Sequence, residues 1–156
     1  MADFIKTVFD DACSQIEVVH AKPMGDGFLI VGANAARTAA AALRICDAYR
    51  MNDWINEGFP KSVQIRVGLD LGTVIIKGDD ITGAAVDRAS RIQPITNPNS
   101  VFCTKHFHNQ LIADSVTHIT GTSVGLKALD KRAGEAELFD LRWSDESSGV
   151  HRCFLE

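Results

Sequence analysis

The strongest local constraint on the fold is the run Met24-Gly25-Asp26-Gly27. Glycine supplies the positive φ that a tight reversal needs, and Asp is a good turn residue beside it. A β-branched-rich stretch, Ile16 to His20, precedes the run, and Phe28-Leu29-Ile30-Val31 follows it. The pattern predicts an antiparallel hairpin with Gly25-Asp26 at its tip and a buried second strand.

Helical patterns flank that hairpin. Phe4, Ile5, Val8, Phe9, Ala12, Cys13 and Ile16 form one apolar stripe at helical spacing. Asn34 is placed to cap a second helix, whose apolar face is Ala39, Ala42, Leu43, Cys46 and Tyr49. That helix is expected to run toward Trp54, before Gly58 and Pro60 stop it. Val63, Ile65, Val67 and Leu69 alternate, and Val74-Ile75-Ile76 follows, which predicts a second hairpin turning at Asp70-Leu71-Gly72. Gly78 to Gly83 reads as a loop and Ala84 to Ile92 as a helix ended near Pro94. Val101 to Thr104 reads as a strand, Lys105 to Ile112 as a short helix and Glu137 to Leu141 as a closing strand. The order implies an α+β domain with a mostly antiparallel sheet backed by helices. Residues 1–143 form that one domain, and 144–156 are expected to be a polar, mobile tail.

Composition excludes several classes. With 156 residues, 46% hydrophobic and 23% charged, the chain reads as one globular domain rather than a disordered or fibrous one. A net charge of -4 and 7% aromatic residues disfavour a nucleic-acid partner, which wants a basic face and stacking platforms. A phosphate-bearing ligand is compatible with that charge where a few bases or a bound cation reverse the sign locally. No apolar run is long enough to span a membrane, and the first residues lack the basic and apolar regions of a signal peptide. Cys13, Cys46, Cys103 and Cys153 are scattered, with no Cys-x-x-Cys. Four reduced thiols and a cytoplasmic location are expected.

Three segments carry candidate chemistry: Lys22 to Phe28, Arg66 to Gly72, and Asp80 to Arg91. In the first, Asp26 is a carboxylate on a rigid hairpin tip. That suits a hard cation such as Mg²⁺, which takes one or two carboxylates plus phosphate oxygens. Taken alone, Gly-Asp-Gly is equally good turn chemistry. In the third, Asp87 and Arg91 stand at i, i+4 on one helix face, which by itself is an ordinary surface ion pair. His106 and His108 are two apart and do not share a helix face, so a metal role is not expected of them. Trp54 and Trp143 are expected to pack rather than to stack on a base.

Together the segments resemble the class III nucleotidyl cyclase catalytic domain, the adenylate/guanylate cyclase family. Lys22-Pro23-Met24-Gly25-Asp26 matches that family's Lys-x-x-Gly-Asp hairpin. Gly68-Leu69-Asp70-Leu71-Gly72 matches its Gly-Ile-His-x-Gly segment, with Asp70 where His is usual. Asp80 to Arg91 matches its Asp-x-x-Gly-x-x-Val-Asn-x-Ala-x-Arg helix start. Pro98-Asn99-Ser100-Val101 looks like its Pro-Gly-x-Ile strand entry, and Gly125-Leu126-Lys127 and Leu138 to Leu141 look like its closing strands.

The resemblance implies a ferredoxin-like, palm-type sheet and a nucleoside triphosphate, ATP by base chemistry, cyclised between two domains. The pair is a head-to-tail homodimer or one copy with a second cyclase domain. It also implies two metal ions, Mg²⁺ or Mn²⁺. Asp26 matches the second metal ligand. Lys22 and Asp80 match the base-reading pair: Lys donates to adenine N1 and Asp accepts from the exocyclic amine, a combination that favours adenine. Arg91 matches the arginine that stabilises charge developing on the α-phosphate. A basic cluster, Lys127, Lys131 and Arg132, lies near the last strands, where the family touches the triphosphate.

Two departures stand against that match. Asp87 occupies the position of an Asn that orients the ribose, and an ionised Asp only accepts hydrogen bonds. The family's first metal-binding Asp lies on an opening strand upstream of the first helix, and none of Asp3, Asp10 and Asp11 is assigned to it. The expectation is therefore an incomplete metal site, with one ligand missing, and weak or no activity from these residues alone. The alternative is a catalytically degenerate module that binds nucleotide or dimerises and regulates a partner.

Overall fold

The computed structural model describes residues 2–14, 18–129 and 134–144. The elements, in order, are α1 (Ala2–Ser14), β1 (His20–Met24), β2 (Gly27–Val31), α2 (Ala35–Met51), β3 (Arg66–Leu69), β4 (Ile75–Lys77), β5 (Asp80–Thr82), α3 (Ala84–Ile92), β6 (Ser100–Thr104), α4 (Lys105–Ala113), β7 (Ile119–Ala128) and β8 (Glu135–Trp143). A single 3-10 turn, Gln93–Ile95, closes α3 at Pro94. The fold is α+β, as the sequence pattern implies.

The main sheet has four strands in the order β3-β6-β8-β7. The two ladders to β8 are antiparallel, and β3 pairs β6 in parallel. Side chains of β6 alternate between its two faces. Val101 and Cys103 join a core with Ala39, Leu43 and Cys46 of α2 and with Phe107 and Leu111 of α4. Phe102 points the other way, into a cluster with Ile92 of α3, Leu129 and Leu138. The sheet is thus sandwiched between α2/α4 and α3. Burial pushes the thiols of Cys46 and Cys103 up to about 12, which leaves both protonated and unreactive.

The first hairpin forms as the turn chemistry requires. Gly25, at φ 64°, and Asp26 make its tip, and Met24 pairs with Gly27. The strand before the tip is His20–Met24, not Ile16 to His20, because pairing propagates outward from the tip and reaches Val31 at His20. Residues 15–17 lie outside the described residues. The second strand is half-buried along its length rather than buried. Its Phe28 stacks on Phe9 of α1, with centroids 3.5 Å apart and planes 5° from parallel. Phe9 in turn shares a core with Ile45, Tyr49, Trp54 and Phe59, so α1 is wedged between the hairpin and α2. Asn34 caps α2 by accepting from the Arg37 amide at 2.9 Å, and the helix ends at Met51, short of Trp54.

The expected second hairpin does not exist. Residues 63–65 are irregular, and Arg66–Leu69 pairs with Ser100–Thr104 instead of with Ile75–Ile76. Ile75–Lys77 pairs with Asp80–Thr82 around a Gly78-Asp79 turn, so the segment expected as a loop contains a strand. The β3–β6 register is set at Asn99, whose N–H donates to the Ile65 carbonyl at 2.6 Å and whose Oδ1 accepts from the Ile65 amide at 3.2 Å. Asn99 adopts φ 55°, a left-handed conformation that Asn tolerates where other side chains resist it. The ten-residue β7 extends well beyond the Gly125 to Lys127 stretch. The polar tail from residue 145 lies outside the described residues, as do Lys131, Arg132 and Cys153.

Helix α3 lies directly on β3. A Cβ added at Gly68 would stand 2.6 Å from the Ala89 carbonyl oxygen and 2.7 Å from the Gln93 amide nitrogen, both backbone atoms. Gly68→Ala is therefore expected to force α3 off the strand and to cost about 1–3 kcal/mol, as overpacked cores do. Urea denaturation measures it; a loss below about 0.5 kcal/mol would show that the interface gives way freely.

Candidate active site

Three elements converge on one cleft of about 360 Å³: β1–β2, the β4–β5 hairpin and the start of α3. Lys22 and Met24 enter from β1, Leu29 from β2, Asp80, Ile81 and Thr82 from β5, and Val86, Asp87 and Ser90 from α3. The walls are largely apolar, and the polar groups sit at defined points. This is the ordinary build of a small-molecule site.

Lys22 and Asp80 are far apart in sequence and meet in space. The Lys22 Nζ lies 3.6 Å from the Asp80 Oδ1. One partner is on β1 and the other opens β5, so the ion pair joins two hairpins that share no ladder. The Asp80 side chain is 84% exposed, which leaves carboxylate lone pairs free for a further donor. An exposed pair of this kind contributes little to stability, and its significance is geometric. It holds a donor and an acceptor side by side at the mouth of the cleft.

Asp87 lies in the first turn of α3, and its Oδ2 accepts from the Arg91 Nε at 3.1 Å. The helix begins at Gly83, with φ 149°, and no side chain caps it. A Cβ at Gly83 would meet the Thr73 carbonyl oxygen at 2.6 Å, so only glycine fits between α3 and the segment before β4. Arg91 is one turn further along, away from the cleft wall.

Asp26 is exposed on the hairpin tip and is not part of the cleft wall. No group of three or more potential ligands forms among the described residues. A solvent-facing carboxylate fits a hard cation that takes its remaining ligands from phosphate oxygens and water. Asp3, Asp10 and Asp11 lie on α1, where Asp10 pairs with Lys6 at 2.5 Å. Lys127 is exposed on β7. His108 stacks on Phe139 at 4.1 Å, and burial lowers its pKa. Trp54 is buried and Trp143 donates from Nε1 to Asp47 at 2.9 Å; both are packing residues.

Sequence reasoning singled out Asp70 but missed its partners. Its side chain is fully buried, and it accepts hydrogen bonds from Arg88 of α3 and, at 2.7 Å, from the Thr104 hydroxyl. No local pattern links positions 70, 88 and 104. The available signals were an acidic residue beside apolar neighbours and its place where the resembled family usually has His.

Comparison with known proteins agrees with this architecture. The family model described as the adenylate and guanylate cyclase catalytic domain matches residues 1–138. A search of the curated proteins finds no match. Among solved structures, an adenylate/guanylate cyclase/hydrolase from Silicibacter pomeroyi is similar, with 24% identity and a TM-score of 0.67 over 91% of this chain and 82% of that one. An adenylate cyclase from Trypanosoma brucei in its monomeric state has 15% identity and a TM-score of 0.72, over 90% and 78% of the two chains. The guanylate cyclase domain of RhGC from Catenaria anguillulae, solved in complex with GTP, has 14% identity and a TM-score of 0.68, over 92% and 82%. These likenesses are in fold, and the family match spans most of the sequence. No described helix is long and apolar enough to cross a membrane. The chain belongs to the adenylate and guanylate cyclase catalytic domain family.

Proposed function

We propose that the protein is a cyclase that converts ATP to a 3′,5′-cyclic nucleotide and pyrophosphate, working as a cytoplasmic head-to-tail dimer with a second copy or another cyclase domain, with weak turnover expected of these 156 residues alone because only Asp26 among them matches a metal ligand. The observation that carries the choice of base is the Lys22–Asp80 pair, 3.6 Å apart at the cleft mouth. Adenine presents an acceptor at N1 beside a donor at its exocyclic amine. Lys supplies only donors and Asp only acceptors, so the two complement adenine. With Lys22 set against N1 and Asp80 against the six-position, guanine, which has a donor at N1 and an acceptor at O6, places like against like. Met24, Leu29 and Val86 supply apolar surface against the ring.

From the base, the ribose reaches toward α3, where Asp87 accepts from a ribose hydroxyl. Arg91 then faces the α-phosphate and stabilises the charge that develops as the 3′-oxygen attacks. For this, Arg91 must exchange its contact with Asp87 for one with phosphate. An exposed i, i+4 pair is worth only about 0.3–0.5 kcal/mol, so the exchange is easily driven by a charged ligand. Asp26 would hold Mg²⁺ or Mn²⁺ against the phosphates. When bound, the metal lowers the pKa of the attacking hydroxyl and neutralises the leaving pyrophosphate.

A second reading, nucleotide binding without turnover, is favoured by one feature: Asp87 adds negative charge beside the phosphates and already engages Arg91. The test is purified protein with each nucleoside triphosphate and Mg²⁺ or Mn²⁺, scored for cyclic nucleotide and pyrophosphate. ATP is the expected substrate. Asp80→Ala is expected to lower kcat/KM for ATP by roughly 10–100-fold, the worth of a charge-assisted hydrogen bond, while leaving any GTP turnover unchanged or raised. Equal losses for both bases would refute the base-reading role. Binding of ATP with no cyclic product under any condition would establish the second reading.

A further inference from the structure

We propose that Arg88 and Asp70 form a positioning pair that sets the orientation of α3, and through it the placement of Asp87 and Arg91. The catalytic half of this inference rests on the function proposed above; the structural half does not.

Asp70 follows the last residue of β3, and its side chain has 0% exposure. A carboxylate is buried at substantial cost unless each oxygen finds a donor. Here both do. Oδ2 accepts from the Arg88 Nε, and Oδ1 accepts from the Thr104 hydroxyl at 2.7 Å. Thr104 is itself the cap of α4, where it accepts from the Phe107 amide at 3.2 Å. The Asp70 rotamer is therefore fixed from the sheet side, and Arg88 is the group that α3 presents to it.

The rest of the helix contact explains why such a pair is needed. Ala85, Arg88, Ala89 and Ile92 recur at helical spacing on the face of α3 that meets the sheet. Ala89 and Gln93 close on Gly68, and a Cβ at Gly72 would stand 3.0 Å from the Ala85 Cβ. Position 68 of β3 and positions 70 and 72 just after it thus meet the helix at 89, 88 and 85 in turn. The two outer contacts are glycine against backbone or alanine. These contacts set the distance between helix and strand, and Ile92, fully buried with Phe102 and Leu138, anchors the far end of the helix. The middle contact is directional. The helix also has nine residues and no side-chain cap at its start, so Arg88–Asp70 supplies the orienting constraint that a cap would otherwise share. Asp87 and Arg91 flank Arg88 in sequence, and a turn of the helix about its axis would carry both away from a nucleotide.

The decisive variant is the double substitution Arg88→Met with Asp70→Asn. Arg88→Met alone leaves an unpaired buried carboxylate and is expected to lower the Tm. Adding Asp70→Asn removes that charge and is expected to restore the Tm. Positioning would not be restored with it. In the double variant the backbone amides of residues 84–92 should exchange roughly tenfold faster with solvent, while those of α2 and β6 keep the parent rates. Its kcat for ATP should stay about tenfold below the parent, with KM nearly unchanged. Parent-like exchange in α3, or faster exchange spread evenly over α2 and β6, would overturn the proposal. So would a kcat that recovers together with the Tm. Should the parent protein itself form no cyclic product, the function proposed above fails, and the exchange measurement still decides whether the pair orients α3.

Discussion

Replacing Arg91 with alanine is expected to lower the rate of cyclisation by about 10²–10³, with a much smaller change in KM for ATP. The expectation follows from where charge appears. Attack on the α-phosphorus builds negative charge on its non-bridging oxygens, and a guanidinium fixed nearby meets that charge more strongly in the transition state than in the ground state. Arg91 is mounted on a helix rather than a loop, and its side chain is 24% exposed, so it is neither buried in the core nor free in solvent. The pair that it gives up with Asp87 is an i, i+4 contact worth a few tenths of a kcal/mol, so that contact alone does not unfold the variant. Steady-state kinetics of cyclic nucleotide formation, with circular dichroism as a control, measure the effect. A loss confined to KM would assign Arg91 to ground-state binding, and a loss below about fivefold would remove it from the reaction.

Trp54→Ala is expected to cost about 3–5 kcal/mol of folding stability. Trp54 is 1% exposed. Its ring meets Phe59 edge-on at 5.2 Å, Phe4 edge-on at 5.9 Å and Tyr49 at 5.4 Å, and its Nε1 donates to the Tyr49 carbonyl at 2.7 Å. Truncation would empty the middle of an aromatic cluster drawn from α1, α2 and the loop that follows. It would also strip that carbonyl of its side-chain donor. A domain of this size has only about 5–15 kcal/mol in hand, so the variant should approach global instability. The midpoint of urea denaturation reads the change. A cost under about 1.5 kcal/mol would mean that the cluster collapses to fill the space.

The elements legible in sequence were those defined by local chemistry. The Gly25-Asp26 tip, the Asn34 cap and the Ala84–Ile92 helix are each set by residues within a few positions of one another. The alternation of Val63, Ile65, Val67 and Leu69 is also real, but a period-two pattern says only that a segment is extended with one face covered, not which strand it joins. Its partner is β6, reached across α3 in a parallel pairing that nearest-neighbour logic does not find. Strand β7 was hard to read for the opposite reason: Gly121, Ser123 and Gly125 interrupt the alternation, and a bulge falls between Ser123 and Gly125. The candidate site residues Lys22, Asp26, Asp80, Asp87 and Arg91 were singled out by the motifs that carry the family resemblance. The structure brings Lys22 to Asp80 and Asp87 to Arg91, and leaves Asp26 at its exposed tip. Arg88 was not legible, because its role depends on a buried acid elsewhere in the chain.

The parallel pairing of β3 with β6 has a consequence for how the site comes into being. Everything between those strands, the β4–β5 hairpin with Asp80 and the helix with Asp87, Arg88 and Arg91, belongs to the connection that the pairing closes. Until two distant segments meet, that connection is an open loop, and closing it is the slow, entropically costly kind of event in folding. The cleft therefore exists only once that long-range pairing has closed. A ligand held there touches the closed loop and the first hairpin together, so its binding energy is added to the stability of the β3–β6 ladder and of the hairpin's docking on it.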